Sequence, residues 1–148
     1  MASLNLVPAS VEDYRRLANK RLPQFLFDYL DGGSYAETTL KNNVADYQKL
    51  NLVQTVMRDV SSIKTSSSKL GAVSAMPVSL APIGMAGMFG RRGELQAKQA
   101  ADAAGIPFTL STVGICSLEE VAAISNIPFW FQLYMLKDRG AVQEMLQR

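Results

Sequence analysis

The sequence predicts an α/β fold in which helices come first and parallel strands follow. Residues 10–50 place apolar side chains at the spacing of amphipathic helices. After Met76, short apolar runs alternate with longer helical patterns, as in sheets whose parallel strands are joined by right-handed crossovers. Three such strands leave two open edges and a half-covered core, so we expect the α/β domain to be incomplete within these 148 residues.

The first predicted helix begins after Ser10, whose hydroxyl can cap it. Glu12 and Asp13 lie in the first turn, where the helix dipole favours negative charge. The apolar residues of this helix follow an i, i+3, i+4 pattern: Val11, Tyr14, Leu17 and Ala18.

A second helix is predicted over residues 23–31. Pro23 suits the first helical position, and Gly32 and Gly33 can adopt the left-handed conformation that ends a helix. Several large side chains on this helix require contacts on at least two faces: Phe25, Phe27, Tyr29 and Leu30. Tyr29 can pack its ring while its hydroxyl reaches either a ligand or a backbone carbonyl.

A third helix is predicted over residues 37–50, and its buried side is formed by Leu40, Val44, Tyr47 and either Leu50 or Ala45. Residues 59–75 are rich in serine, threonine and lysine, with Gly71 at a turn position. Two interpretations of this segment remain open, a linker and a polar two-stranded hairpin.

Three strands are predicted after this segment, over residues 78–81, 107–110 and 129–134. The helix predicted over residues 93–104 has a face of small residues that can approach a sheet closely: Ala97, Ala100, Ala101 and Ala104. Arg91 and Arg92 precede this helix as a basic loop, where Glu94 can offset their charge and where anionic lipid could bind.

Two further helices begin at residues with capping side chains. Ser117 and Glu120 form a capping-box pattern at the start of one helix. Its inward-facing residues are predicted to be Leu118, Val121 and Ala122. Asp138 opens the other helix.

Polar groups follow each predicted strand, at the sheet edge where parallel α/β folds bind ligands. Ser111 follows the second strand, Gln132 and Tyr134 close the third, and the backbone around Ile83 and Gly84 follows the first. Neither a G-x-G-x-x-G nor a G-K-[ST] pattern follows the first strand, which argues against a nucleotide-binding Rossmann start. The neutral donors and acceptors at the three strand ends suit a flat heteroaromatic ring with imide edges.

The composition excludes several other classes of protein. A formal net charge of +2 gives no basis for nucleic-acid binding. The single cysteine, Cys116, excludes an internal disulfide, and we expect it to be a buried apolar residue. No stretch approaches the roughly 18 apolar residues of a membrane span, and the N-terminus lacks the features of a signal peptide. We therefore expect a cytoplasmic protein, and no metal site is predicted.

Three segments of the sequence resemble the FMN-dependent enzymes that oxidise L-2-hydroxy acids: LPQFLFDYLDGGSYAETTLKNN, MPVSLAPIGMAGMFGRRGELQAKQAADAAGIPFTLST and WFQLYMLKDRG. They occur in the order and with the spacing of that family, and the most similar branch is the bacterial respiratory L-lactate dehydrogenases. The resemblance implies a (β/α)8 TIM barrel with FMN at its C-terminal mouth. This chain would supply the N-terminal helices and the first three strand and helix units of that barrel.

The resemblance also implies roles for two tyrosines. Tyr29 matches the family tyrosine that hydrogen-bonds the substrate carboxylate. Tyr134 matches the tyrosine near the substrate hydroxyl and the reacting carbon, which makes it both a substrate-binding and the candidate catalytic residue.

The same resemblance implies a cofactor site. Ser111 and Gln132 match groups that bind the flavin ring. The main chain of Pro82, Ile83 and Gly84 matches the segment that lies against the flavin near its reactive nitrogen. Hydroxyl and amide groups can satisfy the flavin carbonyls and ring nitrogens while the cofactor accepts the electrons.

The sequence departs from the family pattern in two respects. Val113 stands where some oxidases of the family carry a tryptophan. This difference fits the lactate dehydrogenase branch and leaves the preferred substrate size open. The family's histidine base, its carboxylate-binding arginine and its flavin-proximal lysine come from later strands, and this sequence contains no histidine. We therefore expect a fragment that is inactive alone.

The resemblance implies a function for the complete enzyme. It would oxidise a small 2-hydroxy acid, L-lactate to pyruvate, and pass electrons to a respiratory quinone or another acceptor. A homo-oligomer with peripheral contact on the inner face of the cell membrane is expected. Residues 1–75 would form a helical segment with the hairpin or linker, and residues 76–148 the first barrel units. The alternative is a truncated, non-catalytic barrel fragment that acts at most as an association partner.

Overall fold

The computed structural model describes residues 7–148, which divide into two compact units. The first unit ends at Asp59, and the second runs from Val60 to Arg148. The first unit is helical, and the second contains the hairpin, the parallel strands and their helices. The predicted α/β class is therefore confirmed.

Three helices make up the first unit: α1 (Val11–Arg21), α2 (Gln24–Asp31) and α3 (Thr38–Gln48). The Ser10 hydroxyl caps α1 by accepting the Asp13 N–H, and the Asp13 carboxylate accepts the Ser10 N–H in return. The capping prediction for α1 is confirmed, because this exchange satisfies donors that a helix start leaves unpaired.

The double glycine ends α2 differently from the prediction. Gly32 has φ −83° and ψ 161°, which is extended backbone, and Gly33 is also outside the left-handed region. A Cβ on Gly32 would lie 2.8 Å from the Asp28 carbonyl oxygen, so glycine is needed there for space. The left-handed residues of this junction are Tyr35 and Glu37, with φ of 52° and 57°.

The predicted buried side of α3 is wrong. Leu40, Val44, Tyr47 and Leu50 are all exposed, and Ala45 is half-buried. In α2, by contrast, Leu26 and Phe27 are buried. Helical periodicity identified an apolar side of α3, but it did not identify a partner for that side.

A hairpin opens the second unit, which decides between the two interpretations of residues 59–75. Strands β1 (Ser67–Lys69) and β2 (Ala72–Ser74) pair antiparallel. Leu70 and Gly71 form the turn, with φ of 49° and 83°. Positive φ at both central residues is the geometry that a two-residue hairpin turn requires.

The parallel sheet is confirmed, although its strands are shorter than predicted. β3 (Thr109–Ser111) pairs with β4 (Trp130–Gln132), with Ser111 opposite Gln132. The strand predicted over residues 78–81 is reduced to one parallel bridge, between Leu80 and Phe108.

Four helices accompany these strands: α4 (Ala86–Phe89), α5 (Gly93–Ala104), α6 (Leu118–Ala122) and α7 (Arg139–Gln147). The capping box of Ser117 with Glu120 and the Asp138 cap of α7 are confirmed. The core of the unit lies between β3, α5 and α6 and consists of Ala101, Phe108, Leu110, Cys116 and Val121.

The core-facing sides of α5 and α6 differ in part from the prediction. Ala100 and Ala104 are exposed, because the side of α5 that faces the core carries Glu94, Ala97, Lys98 and Ala101. On α6, Val121 is buried and Leu118 packs against the core, whereas Ala122 is exposed.

Candidate functional site

The C-terminal ends of β3 and β4 bring Ser111 and Gln132 together. The two residues lie opposite each other in the parallel register, and the Ser111 hydroxyl donates to Gln132 Oε1 at 3.3 Å. Ser111 is 5% exposed and Gln132 is half-buried. We call this pair the rim pair, since it places a hydroxyl and an amide side by side at the ligand-binding edge of the sheet.

Thr112, which follows Ser111, is hydrogen-bonded to the backbone of Gln132 and Tyr134 at the end of β4. Its backbone N–H donates to the Gln132 carbonyl at 3.1 Å, and its hydroxyl donates to the same carbonyl. The Thr112 hydroxyl also accepts the Tyr134 N–H at 3.0 Å. Tyr134 is thereby attached to the rim through its backbone, while its side chain is 54% exposed. No role for Thr112 was predicted from the sequence, because its partners on the β4 side lie about 20 residues away.

The loop after β3 is joined to the segment that follows Leu80. The Ser111 hydroxyl accepts the Val113 N–H at 3.2 Å, and the Val113 carbonyl accepts the Met85 N–H at 2.9 Å. Pro82, Ile83 and Gly84 lead into Met85, so this bond ties their backbone to the rim pair.

A cavity of about 120 Å³ lies beside this segment and is lined mainly by apolar side chains. Ile83, Ser111 and Glu94 are among the residues that line it. Ile83 is 48% exposed, so its side chain has only part of its surface against protein. The predicted positions 83 and 111 therefore share one concave surface.

Tyr29 lies on α2, in the first unit, and is 54% exposed. Tyr29 is therefore not a buried core tyrosine in this structure. Ser111, Gln132, Tyr134 and the 82–84 segment all belong to the second unit.

Glu94 is a charged residue that the sequence did not identify as part of this region. Its side chain is 2% exposed, and its Oε1 accepts the N–H groups of Gly87 at 3.1 Å and Ile115 at 2.8 Å. Burial raises the pKa of Glu94, but these backbone donors outweigh burial and hold the pKa below its ordinary value. Burial, together with the nearby Glu94 carboxylate, raises the pKa of the Cys116 thiol. Cys116 is buried, as predicted.

Arg91 and Arg92, before α5, are exposed as expected for a basic loop, but the carboxylate that pairs with Arg92 differs from the predicted one. Arg92 pairs with Glu120 on α6 at 2.7 Å rather than with Glu94. The hydrogen bond and the charge of the Glu120 carboxylate raise the pKa of the Arg92 guanidinium.

The donor set of the rim fits a flavin ring. Ser111 and Gln132 supply neutral hydroxyl and amide groups, which can hydrogen-bond both acceptor and donor edges of such a ring. Within residues 7–148, the structure has no cluster of three or more side chains suited to a metal ion. Over the same residues, no helix has the length and apolar character to cross a membrane.

Comparison with known proteins gives a consistent result. The sequence profile described as FMN-dependent dehydrogenase matches residues 18–148. The L-lactate dehydrogenase of Alcaligenes faecalis is 53% identical over 97% of this chain and 38% of its own length. The chain therefore spans about two fifths of the curated relatives that it matches.

Solved structures match the fold over a similar span. A mandelate oxidase structure has a TM-score of 0.87 and 34% identity, covering 96% of this chain and 41% of its own. A soluble mutant of the membrane-associated (S)-mandelate dehydrogenase from Pseudomonas putida has a TM-score of 0.83 and 37% identity, covering 92% and 40%.

Proposed function

The chain belongs to the FMN-dependent dehydrogenase family, and from that membership we propose that it is the N-terminal part of an enzyme oxidising L-lactate to pyruvate. The observation that carries this proposal is the rim pair, Ser111 and Gln132, at the ends of adjacent parallel strands. The names of the curated relatives support an L-2-hydroxy acid, L-lactate before others, as the substrate.

The residues of the second unit hold the flavin ring in this proposal. Ser111 and Gln132 hydrogen-bond its polar edge, and the backbone of Pro82, Ile83 and Gly84 lies against its face. The hydrogen bond from Met85 to Val113 supports this assignment, because it fixes that backbone relative to Ser111. FMN, when bound, accepts the two electrons that leave the substrate.

Two tyrosines bind the substrate in this proposal. The Tyr29 hydroxyl donates to the substrate carboxylate without adding charge. The Tyr134 hydroxyl donates to the substrate oxygen next to the carbon that is oxidised. The bond from the Tyr134 N–H to Thr112 supports the second role, because it holds Tyr134 beside the rim pair.

The proton on the reacting carbon is removed by a group that this chain does not supply. The sequence has no histidine, the residue that serves as base in the family. From the family resemblance, we assign the base, the carboxylate-binding arginine and the flavin-proximal lysine to later barrel strands, and the chain spans only 38% of the relatives' length.

The wider architecture follows from the same family. The second unit contributes the first three strand and helix units of a TIM barrel, with residues 1–75 as a helical and hairpin segment and residues 76–148 as barrel. The complete enzyme is a homo-oligomer that reduces a respiratory quinone or another acceptor. The membrane association of the Pseudomonas putida mandelate dehydrogenase supports a peripheral site on the inner face of the cell membrane, reached from the cytoplasm.

A chimera tests the proposal. This chain replaces the corresponding 38% of the Alcaligenes faecalis enzyme, and the purified product is examined for flavin absorbance and for dye-linked oxidation of L-lactate. We expect a yellow, active protein. The matched control is the chimera with Gln132→Leu, which keeps the side-chain volume but not the amide, and we expect it to lose flavin. A colourless, inactive but folded chimera would contradict the proposal.

A second candidate function is a non-catalytic fragment that associates with another barrel subunit. The exposed apolar side of α3 supports it, since Val44 and Tyr47 are 62% and 77% exposed. The colour of the chimera separates the two candidates, because only the first requires flavin.

A further inference from the structure

Glu94 links α4 to the loop that follows β3. Its single oxygen Oε1 accepts an N–H from Gly87, in the chain that continues from the 82–84 segment, and one from Ile115, in the loop that continues from β3. Gly87 lies in α4 and Ile115 lies in the loop after β3, 28 positions further along the chain, and one carboxylate oxygen joins them.

Helix α4 and the loop after β3 approach each other closely at Gly87 and Ile115. A Cβ on Gly87 would lie 2.9 Å from Ile115 Cβ and 3.2 Å from Glu94 Oε2. Real side-chain carbons do not approach to 2.9 Å, so a side chain at position 87 would displace Ile115 and disturb the shared hydrogen bonding to Oε1. The close contact between Gly87 and Ile115 therefore depends on a glycine at position 87 and on the shared acceptor, Glu94.

The second carboxylate oxygen of Glu94 indicates that filling a buried space is not the reason for a glutamate at this position. Oε2 is enclosed and has no N–H or O–H donor among the described residues, and the neighbouring Cys116 thiol, a weak donor, is the polar group that interacts with this carboxylate. A buried carboxylate with an unpaired oxygen is unfavourable, and an apolar side chain of similar size would fill the space without that cost. What an apolar side chain cannot do is accept the Gly87 and Ile115 N–H groups.

We propose that Glu94 is a positioning residue, which holds the backbone after Gly84 at a fixed distance from the loop after Ser111. The proposal rests on the proposed function for what the rim binds, while the positioning itself rests on the contacts of Oε1. In this role Glu94 acts through the backbone N–H groups of Gly87 and Ile115. It sets the spacing between the 82–84 backbone and the rim pair.

Amide hydrogen exchange tests the positioning on the chain itself. Glu94→Met removes the acceptor and keeps the length of the side chain, whereas Glu94→Gln keeps an oxygen acceptor. We expect Gly87 and Ile115 to exchange roughly 10-fold faster or more in Glu94→Met, and to return close to the original rates in Glu94→Gln. The control is the Trp130 amide, which donates to the Phe108 carbonyl at 2.9 Å in the sheet and should change little.

Flavin binding provides the second measurement, by quenching of FMN fluorescence. We expect Glu94→Met to weaken FMN binding about 10-fold and Glu94→Gln to restore it. These binding measurements are made on the chimera, which contains the whole proposed flavin site. If the chimera binds no FMN, the proposed function is contradicted, while the exchange rates of the chain still decide the positioning.

Unchanged exchange at both amides in Glu94→Met would overturn the inference, and so would equal damage from Glu94→Gln. If Glu94→Met does not fold, Gly87→Ala provides a test that leaves the carboxylate in place. Its Cβ should displace Ile115 and accelerate exchange there, and an unchanged rate at Ile115 would overturn the inference.

Discussion

Lys98 and Asp102 form an ion pair one helical turn apart on α5, with Nζ 2.5 Å from Oδ2 and the lysine side chain fully buried. Ser125, after α6, completes the group: it accepts from Lys98 Nζ at 2.8 Å and donates to Asp102 Oδ2 at 2.6 Å. The network therefore joins α5 to the connection between α6 and β4. That connection leads into the strand that carries Gln132.

Lys98→Met should destabilise the protein strongly. The substitution leaves Asp102 mostly enclosed without its cationic partner, and breaking a buried ion pair in this way costs about 3–5 kcal/mol. Since the Asp102 side chain is 14% exposed, water can solvate part of the carboxylate, so we expect the lower end of that range. The free energy of unfolding from urea titration measures the effect.

Arg92→Met is the matched control for Lys98→Met. It also removes a cation that pairs with a carboxylate, but Arg92 and Glu120 are 52% and 42% exposed. Exposed pairs contribute about 0–1 kcal/mol, so the change should be small. Equal losses from the two substitutions would show that burial of Lys98 adds nothing.

The stability of the protein should depend on Asp102 at low pH. Burial raises the pKa of Asp102, but hydrogen bonds from Lys98 and Ser125 outweigh it and hold the pKa below its ordinary value of 3.8. A carboxyl with a lowered folded-state pKa stabilises the fold above its unfolded-state pKa. That stabilisation is lost as the pH falls through the folded-state pKa, here below 3.8.

Urea titrations between pH 7 and the acid limit of folding, for the original chain and for Asp102→Asn, isolate this effect. The loss of stability below about pH 4 should be smaller in Asp102→Asn. Parallel pH profiles for the two proteins would show that Asp102 does not titrate with folding.

The chain alone, with FMN added, should not oxidise L-lactate. The sequence contains no histidine to act as base, and proton transfer by a positioned group contributes about 10²- to 10⁴-fold. Dye-linked turnover of L-lactate by the pure chain measures this, with the complete Alcaligenes faecalis enzyme as positive control. Robust turnover would refute the assignment of the base to the part of the relatives that this chain does not span.

The two tyrosines should affect the kinetics of the chimera differently. If Tyr29 only anchors the carboxylate, it binds ground state and transition state alike, so Tyr29→Phe should raise KM more than it lowers kcat. A hydrogen bond to a charged group contributes about 1.5–3 kcal/mol, and kcat/KM should therefore fall roughly 10- to 150-fold.

Tyr134→Phe should instead lower kcat more than it alters KM, because the Tyr134 hydroxyl would stabilise charge that develops on the substrate oxygen. Steady-state kinetics of both variants on L-lactate make the comparison. Small and equal effects on both parameters would mean that the tyrosines only pack.

The chain should self-associate in solution. Large apolar side chains are exposed on α3 and in the segment that follows it, including Tyr47, Leu52 and Val53 at 77%, 101% and 91%. Sedimentation at several concentrations should show association, and Tyr47→Ser with Val44→Ser should reduce it. A strictly monomeric chain with a sharp calorimetric transition would contradict this prediction.

Local sequence signals predicted the caps of α1, α6 and α7 and the bounds of α5. The capping boxes at Ser10 and Ser117 and the Asp138 cap form as expected, because each depends on residues within three or four positions along the chain. Helix α5 begins at Gly93 and ends at Ala104, as predicted from its apolar spacing. The order of strands and helices likewise predicted parallel pairing of β3 with β4.

Contacts between distant residues could not be predicted in this way. Glu94 and Lys98 have the appearance of a solvated helix face in the sequence, yet both are buried, because the loop containing Ile115 and the Ser125 connection supply their partners. Conversely, Leu40 and Val44 have the spacing of a buried face and are exposed.

The sequence by itself determined the caps that begin α1, α6 and α7, the parallel arrangement of the strands and the placement of Ser111 and Gln132 at strand ends. The tertiary structure alone decided that their side chains meet at 3.3 Å, and that Gly32 is required for space beside Asp28. The physical reason is the range of the interactions. Capping and periodicity act within a few residues, whereas burial and hydrogen-bond partners depend on which distant segments the fold brings together.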